Sequence, residues 1–230
     1  MLRISSFNIQ NDFSKYNINK SKEIYNYLVQ NKINILGLQE VYSKINKDLI
    51  KLLPSKYTYN GNYRFFSKII LNRINEKTPI ITDKKIKFSK TYNLPHLPSL
   101  LKRVVVKNVI NYKGYDISIY NTHLDFMFES VKLRELKYLY KLISKDNNLV
   151  ILMGDFNLKN NKEIFNKFCN LLEEKGISRI EFNDRTLKMS RYHREIDHVF
   201  LSNEFNVENY SIIKDLEISD HYPIMVDVEV

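Results

Sequence analysis

A carboxylate and an amide follow one apolar segment, two residues apart. Leu149–Met153 is apolar and rich in branched side chains, which predicts a buried strand, and Asp155 and Asn157 come directly after it. Residues i and i+2 of a strand point to the same side, so both side chains can reach one cleft beyond the strand end. There the carboxylate can accept hydrogen bonds, and the amide can both donate and accept them.

Polar residues of the same kinds end or interrupt other apolar segments. The further positions are Asn8, Glu40, His123, Asp197 with His198, and Asp220 with His221. An Asp or Asn after a strand most often makes a turn or caps a helix, so each position alone has a structural explanation. The joint pattern favours a functional site, because sheet packing can bring several strand ends to one rim.

Apolar patterns predict the strands and helices that must position these residues. Strands are predicted at 2–9, 33–41, 57–60, 68–72, 79–88, 149–154, 177–182, 195–201 and 222–229, and helices at 20–31, 43–54, 128–145 and 161–175. Residues 103–124 predict a hairpin with a tight turn at Tyr112–Tyr115. Residues 90–102, with two prolines and no period, predict a loop. This order favours one α/β domain over residues 1–230, with two packed sheets and helices outside.

Charge is unevenly distributed along the chain. The net charge is +10, and residues 1–115 hold 21 Lys and Arg against 6 Asp and Glu. A basic half favours a polyanionic partner such as nucleic acid or anionic lipid. The alternative is AT-rich coding, which favours the abundant Lys, Asn, Ile and Tyr of this sequence.

Composition also indicates the cellular compartment. Cys169 is the only cysteine, which excludes an internal disulfide and a thiolate metal cluster. No apolar run approaches the roughly 20 residues of a membrane helix, and the N-terminal residues do not resemble a signal peptide. We therefore expect a cytoplasmic protein without a transmembrane segment, and we expect a monomer.

Six segments resemble the sequence blocks of the endonuclease/exonuclease/phosphatase superfamily, which has the DNase I-like fold. They are SSFNIQ (5–10), LGLQEV (36–41), NTHLDF (121–126), MGDFNL (153–158), REIDHVFLS (194–202) and SDHYPIMVDV (219–228). All six occur in the family's order and span nearly the whole chain. The resemblance implies a four-layer α-β-β-α sandwich of two mixed, mostly antiparallel sheets.

The resemblance also implies divalent-metal-dependent hydrolysis of phosphate esters, usually with Mg²⁺ and with Mn²⁺ as a possible substitute. Glu40 is the expected direct ligand, and Asn8 and Asp220 would contribute through water or weak contacts. Asp155 would orient and help deprotonate a water, and Asn157 would bind a phosphate oxygen or hold that water. Asp197 and His221 would form an Asp–His pair.

His123 would be the second imidazole, and it bears on the branch of the family. It would donate to the phosphate or protonate the leaving group. Abasic-site nucleases usually carry Tyr in this block, so the sequence resembles the His-containing branch more closely. Arg64, Arg73 and Arg103 are candidate phosphate clamps, although each has an equally simple interpretation as a solvated surface arginine.

Three functions remain open from the sequence. The first is a metal-dependent phosphodiesterase acting on nucleic acid, which the basic half favours. The second is a phosphoesterase of a lipid headgroup, an inositol phosphate or another small phosphorylated metabolite, since the apolar segment NLPHLPSLL could touch lipid. The third is a non-catalytic binding module on the same fold, which the filled catalytic positions disfavour.

Overall fold

The first and last strands of the chain lie in the same sheet. The computed structural model of the protein describes residues 1–10, 18–61, 76–100, 102–159, 162–188 and 194–230. Within them, this first sheet is formed by β1 (Leu2–Asn8), β2 (Ile35–Gln39), β4 (Thr58–Asn60), β6 (Ile80–Thr82), β13 (Asn206–Ile212) and β14 (Ile224–Glu229). The strand order is β13-β14-β1-β2-β6-β4, with β1 and β2 parallel and the other neighbours antiparallel.

The second sheet repeats this arrangement. Its described strands are β7 (Ile86–Asn93), β8 (Val104–Tyr112), β9 (Tyr115–His123), β10 (Leu149–Asp155), β11 (Ile177–Arg179) and β12 (Asp197–Ser202). They follow the order β11-β12-β10-β9-β8-β7, and here β9 and β10 are the parallel pair. The predicted hairpin is confirmed, with Lys113 and Gly114 at positive φ in its turn. A small pairing joins β3 (Val41–Tyr42) to β5 (Glu76–Lys77).

The sheets pack face to face, and helices cover their outer faces. The described helices are α1 (Ile18–Gln30), α2 (Ser43–Leu52), α3 (Glu129–Ile143) and α4 (Glu163–Glu173). One buried cluster, with Ile4 and Ile151 among its members, fills the space between the sheets. A second packs the first sheet against α1 and α2, and a third packs the second sheet against α3 and α4. These layers confirm the predicted four-layer sandwich.

Two buried amides connect the sheets beneath the strand ends. Gln39 Nε2 donates to Asn121 Oδ1 at 2.7 Å, and Asn121 Nδ2 donates to the carbonyl oxygens of Leu38 and Pro79. Because a buried polar group is costly when unpaired, these bonds favour one relative position of the sheets.

Among the residues that the structure describes, none of the helices has the length and hydropathy of a transmembrane helix.

Two predicted elements need correction, and one strand was not predicted. The single strand predicted at 79–88 is two strands, β6 and β7, which lie in different sheets because the chain turns where Lys84 N donates to Thr82 Oγ1. Residues 90–93 of the predicted loop belong to β7, a mostly exposed edge strand without an apolar period. β13 escaped prediction because it is also a polar, largely exposed edge strand. The strand predicted at 68–72 lies outside the described residues.

Candidate active site

Strands of both sheets end side by side at one rim of the sandwich. Asp155, the last residue of β10, is paired with His123 of β9 on one side and with Asp197 of β12 on the other. In the first sheet, Asn8 ends β1 beside the end of β2, and Glu40 follows directly. The parallel pair in each sheet thus brings two carboxyl ends to the same edge.

Asn8 joins the two sheets at this rim. Its Nδ2 donates to Asp155 Oδ2 at 2.9 Å and to Glu40 Oε1 at 3.2 Å. Its Oδ1 accepts a hydrogen bond from Gln10 N at 2.9 Å. The two carboxylates therefore share one amide, which places Glu40 and Asp155 within reach of a single hydrated cation.

The His123 ring points one nitrogen into this cluster and the other into the protein. Nε2 lies 3.6 Å from Asp155 Oδ2 and 3.9 Å from Glu40 Oε1. Nδ1 lies 2.8 Å from Arg103 Nη1 and 3.1 Å from Glu76 Oε1. The buried contacts at Nδ1 fix the ring so that Nε2 faces the rim.

Glu76 is a residue that sequence reasoning missed. It lies in the two-residue strand β5, whose own sequence has no apolar run and no strand-end pattern. The predicted candidate Arg103 donates from Nη1 to Glu76 Oε1 at 3.3 Å and is only 4% exposed. The surface interpretation is therefore wrong for Arg103, whereas Arg64 and Arg73 lie outside the described residues.

His221 and Asp197 form a buried hydrogen-bonded pair. Nδ1 of His221 lies 2.8 Å from Asp197 Oδ2, and its Nε2 lies 3.8 Å from Asp155 Oδ2. Burial lowers the pKa of His221, but the negative charge of Asp197, its hydrogen bond and the charge of Asp155 together raise the pKa to about 10.

Asp155 lies between the two imidazoles. Burial alone would raise the pKa of its carboxyl group, but the positive fields of His123 and His221 and the hydrogen bonds from Asn8 and Asn157 lower the pKa below its ordinary value. Asp155 is therefore ionised at neutral pH, as a group that orients or deprotonates water must be.

Asn157 and Asp220 border the cluster. Asn157 N donates to Asp155 Oδ1 at 2.8 Å, and Asn157 Nδ2 donates to the Leu124 carbonyl at 3.1 Å. Because an amide group has two hydrogens, the second can still serve a ligand. Asp220 is half-buried, and its backbone N–H donates to Gln10 Oε1 at 3.2 Å.

His198 lies on the opposite side of β12 from Asp197, as its adjacent position predicts. It is fully buried among Phe156, Phe165 and Phe200, and its Nε2 contacts the Leu158 carbonyl at 3.0 Å. This environment gives it a structural role.

Unusual backbone conformations concentrate at the rim. Gln10, Glu40 and Asn157 have φ values of 51°, 60° and 51°, in the left-handed region that non-glycine residues rarely adopt. Gly154 has φ of 148°, and a Cβ there would lie 2.0 Å from the Thr122 carbonyl oxygen. Such strain is common where a fold must aim side chains at a ligand.

The donor atoms fit a hard divalent cation. The Glu40 side chain is 26% exposed, so its carboxylate is accessible from the rim. Asp155, Asp197 and His221 form a second candidate group, with ligand atoms within 4.8 Å of one another. That group differs from the predicted set of Glu40, Asn8 and Asp220. We favour Glu40, because its carboxylate is partly exposed whereas Asp155, Asp197 and His221 are all buried.

Comparisons with known proteins agree with this fold. Residues 5–221 match the endonuclease/exonuclease/phosphatase family. None of the curated proteins compared with the chain matches its sequence. Among solved structures, a mannosyl-6-phosphatase of Bacteroides thetaiotaomicron is similar, with a TM-score of 0.80, 20% identity and coverage of 100% of both chains.

Two animal proteins share the fold. The catalytic domain of human Nocturnin, solved with bound sulfate, gives a TM-score of 0.79 at 17% identity and covers 99% of this chain and 93% of that one. TDP2 of D. rerio, complexed with a single-strand DNA product, gives a TM-score of 0.79 at 17% identity and covers 100% of this chain and 99% of that one.

The four-layer fold carries a cluster of carboxylates and imidazoles where its strands end, and such groups suit the hydrolysis of phosphate esters. Because the sequence match extends over most of its length, the chain belongs to the endonuclease/exonuclease/phosphatase family. Members of that family are phosphoesterase hydrolases that typically depend on a metal ion.

Proposed function

We propose that the protein is a Mg²⁺-dependent phosphodiester hydrolase acting on nucleic acid, in which water attacks phosphorus. The observation that carries the proposal is the position of Asp155. Its Oδ2 lies 3.6 Å and 3.8 Å from the Nε2 atoms of His123 and His221 and shares the Asn8 amide with Glu40. An ionised base, two imidazoles and an accessible carboxylate thus surround one point where a phosphate can bind.

Each residue then has a role that its surroundings support. Asp155 orients the attacking water and accepts its proton. His221, whose pKa is raised by its carboxylate neighbours, donates from Nε2 to a phosphate oxygen. His123 donates to the phosphate or protonates the leaving oxygen. Glu76 and Arg103 hold the His123 ring from behind.

Glu40 would bind the cation directly, with Asn8 and Asp220 assisting through water. A bound divalent cation would polarise a non-bridging phosphate oxygen and offset the charge on the leaving oxygen. Asn157 would complete the site through its remaining amide hydrogen. A role of Arg103 as a phosphate clamp would require its guanidinium to leave Glu76.

Two observations support nucleic acid as the substrate. The basic N-terminal half suits a polyanion, and one protein of the same fold was solved with a single-strand DNA product. The proposal also includes a single domain, a cytoplasmic location and a monomeric state. Size-exclusion chromatography with light scattering would test the monomeric state.

A second candidate function has an observation of its own. Leu97, Leu100, Phe126 and Met127 are exposed beside the site, which favours a substrate carried on an apolar surface, such as a phospholipid headgroup. Small phosphorylated metabolites share the same ester chemistry.

A substrate panel tests both candidates. Plasmid DNA, sphingomyelin and inositol polyphosphate are each incubated with the protein and Mg²⁺. Cleavage of DNA that is lost in Glu40→Ala and His221→Ala supports the first candidate, and cleavage confined to a lipid or inositol phosphate supports the second. If the protein cleaves none of these esters and does not cleave bis-p-nitrophenyl phosphate, the result would favour a non-catalytic binding module.

A further inference from the structure

Four exposed apolar side chains form a patch that we call the apolar rim. It consists of Leu97, Leu100, Phe126 and Met127, which are 70%, 79%, 55% and 59% exposed. Scattered exposed apolar residues are ordinary, but four on two neighbouring loops are a feature that requires explanation. Two of the four residues are aliphatic leucines, and none of the four side chains can donate a hydrogen bond.

Hydrogen bonds hold the two loops together. Ser99 Oγ donates to Asp125 Oδ2 at 2.5 Å, and Arg134 donates to the Leu97 carbonyl. The other oxygen of Asp125 accepts the backbone N–H groups of Met127 and Phe128, at 2.8 and 2.7 Å. Because Asp125 is fully buried, these bonds fix the position of both loops. The rim is therefore one surface rather than two independent loop tips.

The apolar rim adjoins the candidate active site. Asp125 follows His123 by two residues, and Leu124 N donates to the Asp155 carbonyl at 2.9 Å. Lys132 donates from Nζ to the carbonyl oxygens of Phe126 and Asn157, at 3.3 and 3.2 Å. Whatever the rim contacts will lie next to the catalytic groups.

The chain that leads into the first loop of the apolar rim is basic. Residues 86–103, which lead into and include the first loop, contain Lys87, Lys90, Lys102 and Arg103 and no acidic residue. Lys87 pairs with Asp116 and Arg103 is buried, whereas Lys90 is exposed and Lys102 is half-buried. Apolar side chains flanked by lysines are the combination that binds the interface of an anionic bilayer.

We propose that the apolar rim docks the protein on a bilayer that contains anionic phospholipid. Leucine and methionine side chains gain little from a phosphodiester backbone, which is bound mainly by cations and hydrogen-bond donors, so the rim itself does not suit nucleic acid. Docking on the bilayer requires no hydrolysis, so this proposal does not depend on whether the substrate is nucleic acid or a lipid headgroup. Combined with the second candidate function, docking would place a headgroup phosphate beside the cation site.

Vesicle binding tests the proposal separately from catalysis. The protein is sedimented with vesicles of phosphatidylcholine alone and of phosphatidylcholine mixed with phosphatidylserine. Wild type and the Glu40→Gln variant should bind the mixed vesicles equally and better than the neutral ones. The double variant Leu100→Asn/Met127→Asn should lower the partition coefficient by about tenfold or more. The control Ile50→Asn/Tyr115→Asn changes two large side chains elsewhere, each 50% exposed, and should leave the partition coefficient unchanged.

Fluorescence supplies a readout at one position. The sequence contains no Trp, so Phe126→Trp introduces a single indole at the rim and Tyr115→Trp a single indole far from it. Mixed vesicles should shift the emission of the first to the blue and leave the second unchanged. The proposal is overturned if wild type ignores vesicles, if the rim and control variants bind alike, or if the rim variant loses only affinity for single-stranded DNA. Unchanged hydrolysis of a small soluble ester by the rim variant shows that its fold is intact.

Discussion

Glu135 is a buried acid whose charge should weaken the fold at neutral and alkaline pH. Its side chain lies on α3, fully enclosed, and Oε2 accepts a hydrogen bond from Asp125 N at 2.8 Å. Among the described residues, Oε1 has no hydrogen-bond partner. Burial raises the pKa of Glu135 to about 7, despite that hydrogen bond and the positive charges of Arg103 and Lys132.

The sign and size of the effect follow from proton binding. Between the ordinary pKa of 4.5 and the raised value, the folded state binds more protons than the unfolded state. The free energy of unfolding therefore falls as pH rises through this range, by about 3 kcal/mol in total. Glu135→Gln removes the titration and keeps an acceptor for Asp125 N. The variant should match wild type near pH 4.5 and be more stable by about 3 kcal/mol at pH 8.

Urea unfolding in EDTA at both pH values measures this difference. Glu173→Gln, an exposed acid on α4, is the matched control and should show no pH-dependent change. A Glu135→Gln variant that differs from wild type by the same amount at both pH values would refute the reasoning. So would a variant that is less stable than wild type at pH 8.

Two further predictions concern the rim where the strands end. Gly154→Ala should destabilise the protein by about 3 kcal/mol or more, because the added Cβ would meet the Thr122 carbonyl oxygen. Gly114→Ala, in the open hairpin turn, should destabilise it by only about 1 kcal/mol. Equal thermal unfolding temperatures of the two variants would contradict this prediction. Asp197→Asn should lower the pKa of His221 from about 10 in the metal-free protein, as followed by NMR of the ring protons. Since a raised histidine pKa stabilises the fold below the unfolded-state pKa and loses that effect as pH rises through the folded-state pKa, the variant should also lose stability at neutral pH. An unchanged titration would show that the pair is not coupled.

Strand ends were predictable because the signal is local. The apolar runs before Asp155 and His123 mark β10 and β9, and the polar residue that ends each run marks the rim. That these ends meet depends on sheet order, which the resemblance to a family implied and the structure confirms. Their positions are observed, while the roles assigned to them stay predictions.

Features that arise from tertiary contacts were not predictable. Glu76 reaches His123 from a two-residue strand that has no sequence signature. The residue type of Arg103 does not indicate whether its side chain is solvated or buried, because burial depends on tertiary packing. β13 pairs through its backbone with β14, so its polar sequence did not indicate a strand.

Hydrolysis of bis-p-nitrophenyl phosphate as a function of Mg²⁺ concentration tests the central claim most directly. Wild type and Glu173→Gln should be inactive in EDTA and show a rate that rises and saturates with Mg²⁺. Glu40→Gln should lose about a hundredfold or more at every Mg²⁺ concentration. A rate that persists in EDTA, or a Glu40→Gln variant as active as the control, would contradict a metal-dependent site at the meeting point of these strand ends.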